Sequence, residues 1–340
     1  MKTSDFDYKL PPERIAQTPV EPRDASRLMV LNRENDELTH STFNRIEDFL
    51  LPGDLLVVNQ TRVIPARIFA HKIPTGGKIE ILLLNRRDEH TWECLVGGKR
   101  MDEGKAFELE NGVKGEIIAV SEGASRVLRF EEPIDGFLNE IGTMPLPPYI
   151  HEKLEDPERY QTVYSKEEGS AAAPPAGLHF TPELISGVRL LGVKIQSVTL
   201  HVGLDTFAPV TEENAEDHKI HTEWCSLPFK AARMINRTRA YGGRVIGVGT
   251  TSVRVLETAA RNAEGRDLVG EYEGPTDLFI LPGYEFKATQ AMITNFHLPK
   301  SSLMMMVSAF AGHEKIMSAY QTAIEEKYRF YSFGDAMFIY

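Results

Sequence analysis

Between Ala66 and Phe130 the chain breaks into six short apolar-rich runs, at 66–72, 78–85, 91–96, 106–110, 113–121 and 126–130, with nothing helical between them. Thr-Gly-Gly, Gly-Gly, Asp-Glu-Gly and Asn-Gly steps separate the runs. Glycine after a small polar residue reverses a strand in very few residues, because it tolerates the positive φ that tight hairpin turns need. Six strands repeating every 8–12 residues or so predict a small closed β-barrel or sandwich.

The flanks follow a different rhythm. Residues 28–32 and 38–43 read as a hairpin around a polar 33–37 turn, 46–51 as a short helix stopped by Pro52-Gly53, and 55–59 as a buried strand. After Met144-Pro-Leu-Pro-Pro148, strands and helices alternate. Thr181-Pro182-Glu183 supplies an N-cap, an N1 proline and an acidic first turn to a helix that Gly192 ends. Strands follow at 193–202, 244–248 and 291–296, with helices at 230–241, 253–262, from Ser302 and from about His313. This alternation predicts an α/β fold with a largely parallel sheet. The expected architecture is a larger three-layer α/β domain made of 1–62 and 148–340, with a six-stranded β-barrel domain inserted at 63–147.

The 340 residues carry 38 Lys+Arg against 49 Asp+Glu, a net charge of −11 that excludes a generic nucleic-acid coat or membrane-surface binder. Cys94 and Cys225 lie far apart and form no CxxC, which excludes a disulfide framework and a cysteine-zinc site. The acidic start, soon interrupted by Pro11-Pro12, is unlike a secretory leader. The longest apolar run, 303–311, falls short of the ~20 residues of a membrane span. A cytoplasmic protein is expected.

Several short stretches can carry chemistry. Gly247-Val-Gly249-Thr-Thr-Ser252 falls where a strand gives way to a helix. There the backbone can approach a ligand, and free N–H groups suit a carboxylate or phosphate. It lacks the full dinucleotide spacing, and a tight corner capped by Thr and Ser is the plain alternative. Asp217-His218-Lys219-Ile220-His221-Thr222-Glu223 gathers imidazoles and carboxylates. A third zinc ligand and a helical HExxH frame are missing, so no metal is expected. Proton transfer, substrate hydrogen bonding and a solvated turn stay open. His179, His201 and His297 stand at strand ends or loops, where open α/β sheets bind ligands, although a lone histidine is often structural. The uncharged loop Gly169–Gly177 is a linker or a ligand cover. Lys230, Arg233 and Arg237 share a helical stripe, and 230–244 holds five cations and no acid. Such a stripe either grips phosphates or pairs with the acidic 212–217 run.

Taken in order, these stretches closely resemble the S-adenosylmethionine-dependent tRNA ribosyltransferase-isomerase family of queuosine biosynthesis. The resemblance is carried by Arg23-Asp-Ala-Ser-Arg-Leu28, Gly53-Asp-Leu-Leu-Val-Val-Asn59 with Thr61-Arg-Val63, Pro65-Ala-Arg67, and Met144-Pro-Leu-Pro-Pro-Tyr-Ile150. It continues through Arg159-Tyr-Gln-Thr-Val-Tyr164, Ala176-Gly-Leu-His-Phe-Thr181, Thr199-Leu-His-Val-Gly203 and Val248-Gly-Thr-Thr-Ser252. Thr294-Asn-Phe-His-Leu-Pro299 and Phe333-Gly-Asp-Ala-Met337 complete it.

The resemblance implies that the ribose of S-adenosylmethionine moves to the aminomethyl group of a 7-deazaguanine at the tRNA wobble position. It is isomerised to an epoxycyclopentane, with release of adenine and methionine. A base must remove a C5′ proton acidified by the sulfonium, an acid must assist adenine departure, and the attacking amine must be deprotonated. His179, His201, His218, His221, Glu223 and His297 are the supply for these steps. Gly249, Thr250, Thr251 and Ser252 are the candidates for the methionine carboxylate. Asn59, Arg62 and the loop containing Gly177 are the candidates for nucleoside and base contacts. Lys99, Arg100, Lys230, Arg233 and Arg237 are the candidates for tRNA. No cofactor is expected beyond S-adenosylmethionine as co-substrate, and no membrane or obligate protein partner is implied. Gln60, Pro175 and Asp205 depart from the family pattern, where Asp or Asn, Thr and Gly respectively are common.

Overall fold

The structure, a computed structural model, describes residues 1–121, 123–203, 209–220 and 222–340. His221 and Asp205 therefore lie outside the described residues. The chain forms two compact units, Met1–Thr61 with Pro148–Lys166 and Ala173–Tyr340, and Arg62–Pro147 with Glu167–Ala172.

The larger unit is built on a nine-stranded sheet. Four central strands run parallel, in the order Lys194–Leu200, Leu55–Asn59, Val245–Val248 and Ala291–Asn295. Leu55–Asn59 is buried throughout, as a strand covered on both faces must be. Alternate residues feed two cores. Leu28, Val30, Leu56, Val58, Ile246, Val248 and Ile293 pack with Leu184 and Val188 of the helix Pro182–Leu190. Met29, Leu31, Met292 and Met337 pack with the helices Ser302–Ala311 and His313–Glu325. Cores on both faces of one sheet make the three layers of an α/β fold.

The sheet is more mixed than the strand–helix alternation predicts. Glu223–Leu227 and Tyr272–Thr276 add antiparallel at one edge, and the hairpin Arg27–Leu31/Leu38–Thr42 forms the other. Ala336–Ile339 pairs antiparallel with Ala291–Asn295, because two helices rather than one separate them and the chain returns reversed.

In the smaller unit six antiparallel strands close on themselves: Arg67–Lys72, Lys78–Arg86, Thr91–Gly97, Ser125–Phe130, Lys114–Val120 and Ala106–Leu109, the last pairing back to the first. Ile68, Ala70, Ile81, Leu83, Cys94, Phe107, Leu128 and Phe130 fill it. Gly115 is required there, since a Cβ would sit 2.6 Å from Cζ of Phe107. Glu167–Ala172 joins this unit through the Ile64 N–H, which donates to the Ser170 carbonyl at 3.0 Å. Among the described residues no helix is long and apolar enough to cross a membrane.

Candidate functional site

The parallel strands Val245–Val248 and Ala291–Asn295 lie side by side, and beyond their carboxyl ends the chain opens a pocket that is partly open to solvent. This is where open α/β sheets bind ligands, because the chain diverges there into separate loops. Gly249 turns the first strand into the helix Thr250–Arg261 at φ +86°, a conformation costly for any residue with a Cβ. Its N–H donates to the Ile293 carbonyl at 2.7 Å, which locks the turn to the neighbouring strand. Its N-cap, Gly249, has no side chain to cap the helix, so the first N–H groups are left for a ligand.

Gly249, Thr250 and Thr251 line the pocket together with Asn295 and His297 from the second strand's end. Tyr149, Thr294, Tyr331 and Ser332 complete the polar part of the wall, and Pro175, Ala176, Phe296, Leu298 and Leu303 the apolar part. Two buried polar atoms of the wall, Thr251 Oγ1 and Asn295 Oδ1, have no hydrogen-bond partner among the described residues. The Asn295 amide is fixed by its Nδ2, which donates to the Tyr331 carbonyl at 2.9 Å. His297 is held by Thr294, 2.7 Å from Oγ1 to Nε2, and burial pushes its imidazole down to about 3. At neutral pH it carries no proton charge.

His179 lies beside a smaller pocket lined by Arg23, Arg159 and Phe333, and Ser332 borders both pockets. Ser26 Oγ meets His179 Nδ1 at 2.8 Å, and Phe43 stacks on the ring at 4.9 Å. Burial pushes this imidazole down to about 4; the nearby Asn295 amide opposes that shift, yet His179 Nε2 and Asn295 Oδ1 do not meet in hydrogen-bonding geometry.

The other candidates lie in different surroundings. His201 follows the strand Lys194–Leu200 and stacks on Trp224, with Nδ1 3.2 Å from Thr61 Oγ1. His218 Nδ1 is 3.0 Å from Glu212 Oε2 and packs edge-on to Phe279. Glu223 is buried, pairing with Arg254 and accepting from the Gly203 N–H at 3.0 Å. Ser252 turns away from the pocket, its hydroxyl donating to the Val248 carbonyl at 2.8 Å. The Asn59 amide is taken up by the backbone, donating to the Leu200 carbonyl at 3.0 Å and accepting from the Leu200 N–H at 3.1 Å. Gly177 packs where a Cβ would overlap the Tyr164 hydroxyl and lie 2.7 Å from Thr162 Cγ2. Arg62 is half-buried in the smaller unit, where Lys99 and Arg100 are exposed after Gly97-Gly98. Lys230, Arg233 and Arg237 are exposed on the helix Phe229–Ala240. Among the described residues no three His, Cys, Asp or Glu side chains converge as metal ligands would.

Sequence reasoning singled out Gly249, Thr250, Thr251 and His297, which the fold gathers around one pocket. It missed Asn295, Tyr149, Tyr331 and Ser332 as wall residues. Asn295 stood inside the quoted Asn-Phe-His-Leu-Pro stretch and could have been found there. Tyr331 and Ser332 fall in a segment with no periodicity, and only the fold brings them in.

The family model for queuosine biosynthesis proteins matches residues 3–339. A relative from Moorella thermoacetica, named S-adenosylmethionine:tRNA ribosyltransferase-isomerase, is 54% identical over 348 residues, covering 100% of both chains. A relative of the same name from Symbiobacterium thermophilum is 53% identical, again covering 100% of both. The crystal structure of an S-adenosylmethionine tRNA ribosyltransferase from Thermotoga maritima matches with a TM-score of 0.58 and 41% identity, over 99% of this chain and 100% of that one. Agreement of this kind from one end of the chain to the other means that it belongs to the queuosine biosynthesis protein family.

Proposed function

We propose that this chain is an S-adenosylmethionine:tRNA ribosyltransferase-isomerase. It transfers and isomerises the ribose of S-adenosylmethionine onto a 7-aminomethyl-7-deazaguanine at the tRNA wobble position, giving epoxyqueuosine and releasing adenine and methionine. The observation that carries this reading is identity above one half, over the full length of both chains, to relatives bearing that name.

In this reading the pocket beyond Val248 and Asn295 takes the methionine end of S-adenosylmethionine. Its carboxylate lies on the uncapped helix terminus at Gly249–Thr251, where N–H groups and the helix dipole favour negative charge. Thr251 Oγ1 donates to that carboxylate, and Asn295 Oδ1 accepts from the methionine ammonium. Both atoms are buried and without a partner among the described residues, a cost that a ligand of this chemistry relieves. His179 and His297 act as neutral hydrogen-bonding groups, since imidazoles pushed to about 4 and about 3 hold no proton to give near pH 7. Proton transfer to adenine and from C5′ then falls to other groups of the set, with His201, His218 and Glu223 the described candidates. S-adenosylmethionine is the only small co-substrate, and the exposed cations Lys99, Arg100, Lys230, Arg233 and Arg237 serve the tRNA.

Incubation with S-adenosylmethionine and tRNA carrying the aminomethyl-deazaguanine precursor, followed by nucleoside and small-molecule analysis, tests the reading. Epoxyqueuosine with free adenine and methionine is expected. S-adenosylhomocysteine in place of adenine would make the chain a methyltransferase instead.

A further inference from the structure

The helix Phe229–Ala240 buries Ala231, Ala232, Ile235 and Thr238 and turns its other face to solvent. On that face Phe229, Arg233 and Arg237 recur at every fourth residue, and Tyr241 continues the step just past the helix end. Fourfold spacing stacks side chains along one face, so the four make a stripe about 18 Å long at ~1.5 Å per residue. Phe229 is 59% exposed and Tyr241 80%. Each guanidinium lies over a neighbouring ring, Arg233 at 5.7 Å from the Phe229 centroid and Arg237 at 5.6 Å from that of Tyr241.

The acidic run 212–217 does not neutralise this stripe. Glu212 is engaged with His218, Glu213 with Lys2, Glu216 with the N-terminal ammonium and Asp217 with Asn214. Arg244 is held by Asp54, and Arg239 by the Gly243 carbonyl. Among the described residues no carboxylate pairs with Lys230, Arg233 or Arg237. A chain of net charge −11 thus keeps unpaired cations between two exposed rings on one helix.

We propose that this stripe seats unpaired nucleotides of the tRNA, with phosphates on Arg233 and Arg237 and splayed bases stacked on Phe229 and Tyr241. The proposal rests on the tRNA-modifying function argued above and deepens it. Duplex RNA offers phosphates but no ring faces, whereas a single-stranded loop offers both. The wobble base whose modification is proposed lies in such a loop.

The test compares the full-length chain with R233Q/R237Q and F229A/Y241A, measuring tRNA affinity across a range of salt together with thermal midpoints. R233Q/R237Q is expected to flatten the log–log salt slope by about 1.4, at ~0.7 for each phosphate contact on a single strand. F229A/Y241A is expected to weaken binding about tenfold or more with the slope unchanged, because stacking releases no counterions. The same losses should appear with an isolated anticodon stem-loop and not with a blunt RNA duplex, and Tyr241→Phe should retain wild-type affinity. Wild-type binding by either double variant, or an equal loss on the duplex, overturns the proposal. Adenine release by the wild-type chain with substrate tRNA reports separately on the function: without it the functional reading fails, and with it a failed binding test removes the stripe alone.

Discussion

Thr251 carries a buried hydroxyl that has no partner among the described residues. Replacing it by the near-isosteric valine therefore removes nothing that the free protein uses, and Thr251→Val should change stability by less than about 0.5 kcal/mol or raise it slightly. If the hydroxyl donates to the methionine carboxylate, the same substitution forfeits a hydrogen bond to a charged group, and KM for S-adenosylmethionine should rise about tenfold or more. Thermal midpoints and initial rates read the two effects, and an unchanged KM would remove Thr251 from the site. His179 makes a different prediction. Its folded-state value of about 4 lies below the ordinary 6.5, so above pH 6.5 both folded and unfolded chains hold it neutral. Below that, the unfolded chain takes up a proton that the folded chain refuses. Stability is therefore lost as pH falls from 6.5 towards 4, by on the order of 3 kcal/mol from this residue. Urea midpoints at pH 7 and pH 4.5 should fall less steeply in His179→Gln than in the wild type. Equal slopes would mean that the imidazole is hydrated. The candidate histidines were legible from their small-residue contexts, but their neutrality was not, since burial depends on what distant segments lay over the ring.

The short helical turn Pro175–His179 shows how an element is placed by one missing atom. Gly177 lets it settle against Tyr164 and Thr162, and the Tyr164 hydroxyl is buried without a partner among the described residues. Gly177→Ala should cost roughly 1–3 kcal/mol through overpacking. Tyr164→Phe deletes the atom that the new methyl would strike and should be neutral or stabilising. The double variant should then lose much less than Gly177→Ala alone, and simple additivity in thermal midpoints would contradict the geometry. Elements with strong local signals were legible: the proline-led helix Pro182–Leu190, the buried strand Leu55–Asn59, and all six barrel strands. The edge strand Tyr272–Thr276 was not, because Gly274 and Pro275 read as a turn and an edge position tolerates them. Ala336–Ile339 was hidden for another reason. Four apolar residues after a glycine fit a strand or a buried helix equally, and only pairing decides.

For the whole molecule, the switch from hairpin rhythm to strand–helix alternation made both architectures legible, because each period reflects a different way of burying one face. The return of Glu167–Ala172 to the smaller unit was not, since its Glu-Glu-Gly-Ser-Ala-Ala sequence has no periodicity, and backbone pairing with a segment remote in sequence helps to place it. The pocket was half legible for the same reason: the strand-to-helix turn announces itself locally, whereas Tyr149 and Tyr331 arrive from remote segments. The position of Ala336–Ile339, between Ala291–Asn295 and Arg27–Leu31, also bears on how the chain is born. A ribosome that has delivered residues 1 to 335 has supplied every other strand of the nine-stranded sheet, yet the hairpin made first still has no neighbour to join. The barrel strands, drawn from the continuous stretch 67–130, can close while synthesis goes on. The larger sheet has to wait with the facing edges of Ala291–Asn295 and Arg27–Leu31 unpaired, so translation sets the order in which the two units mature, and an abortive product lacking the strand that completes the sheet remains open to proteolysis.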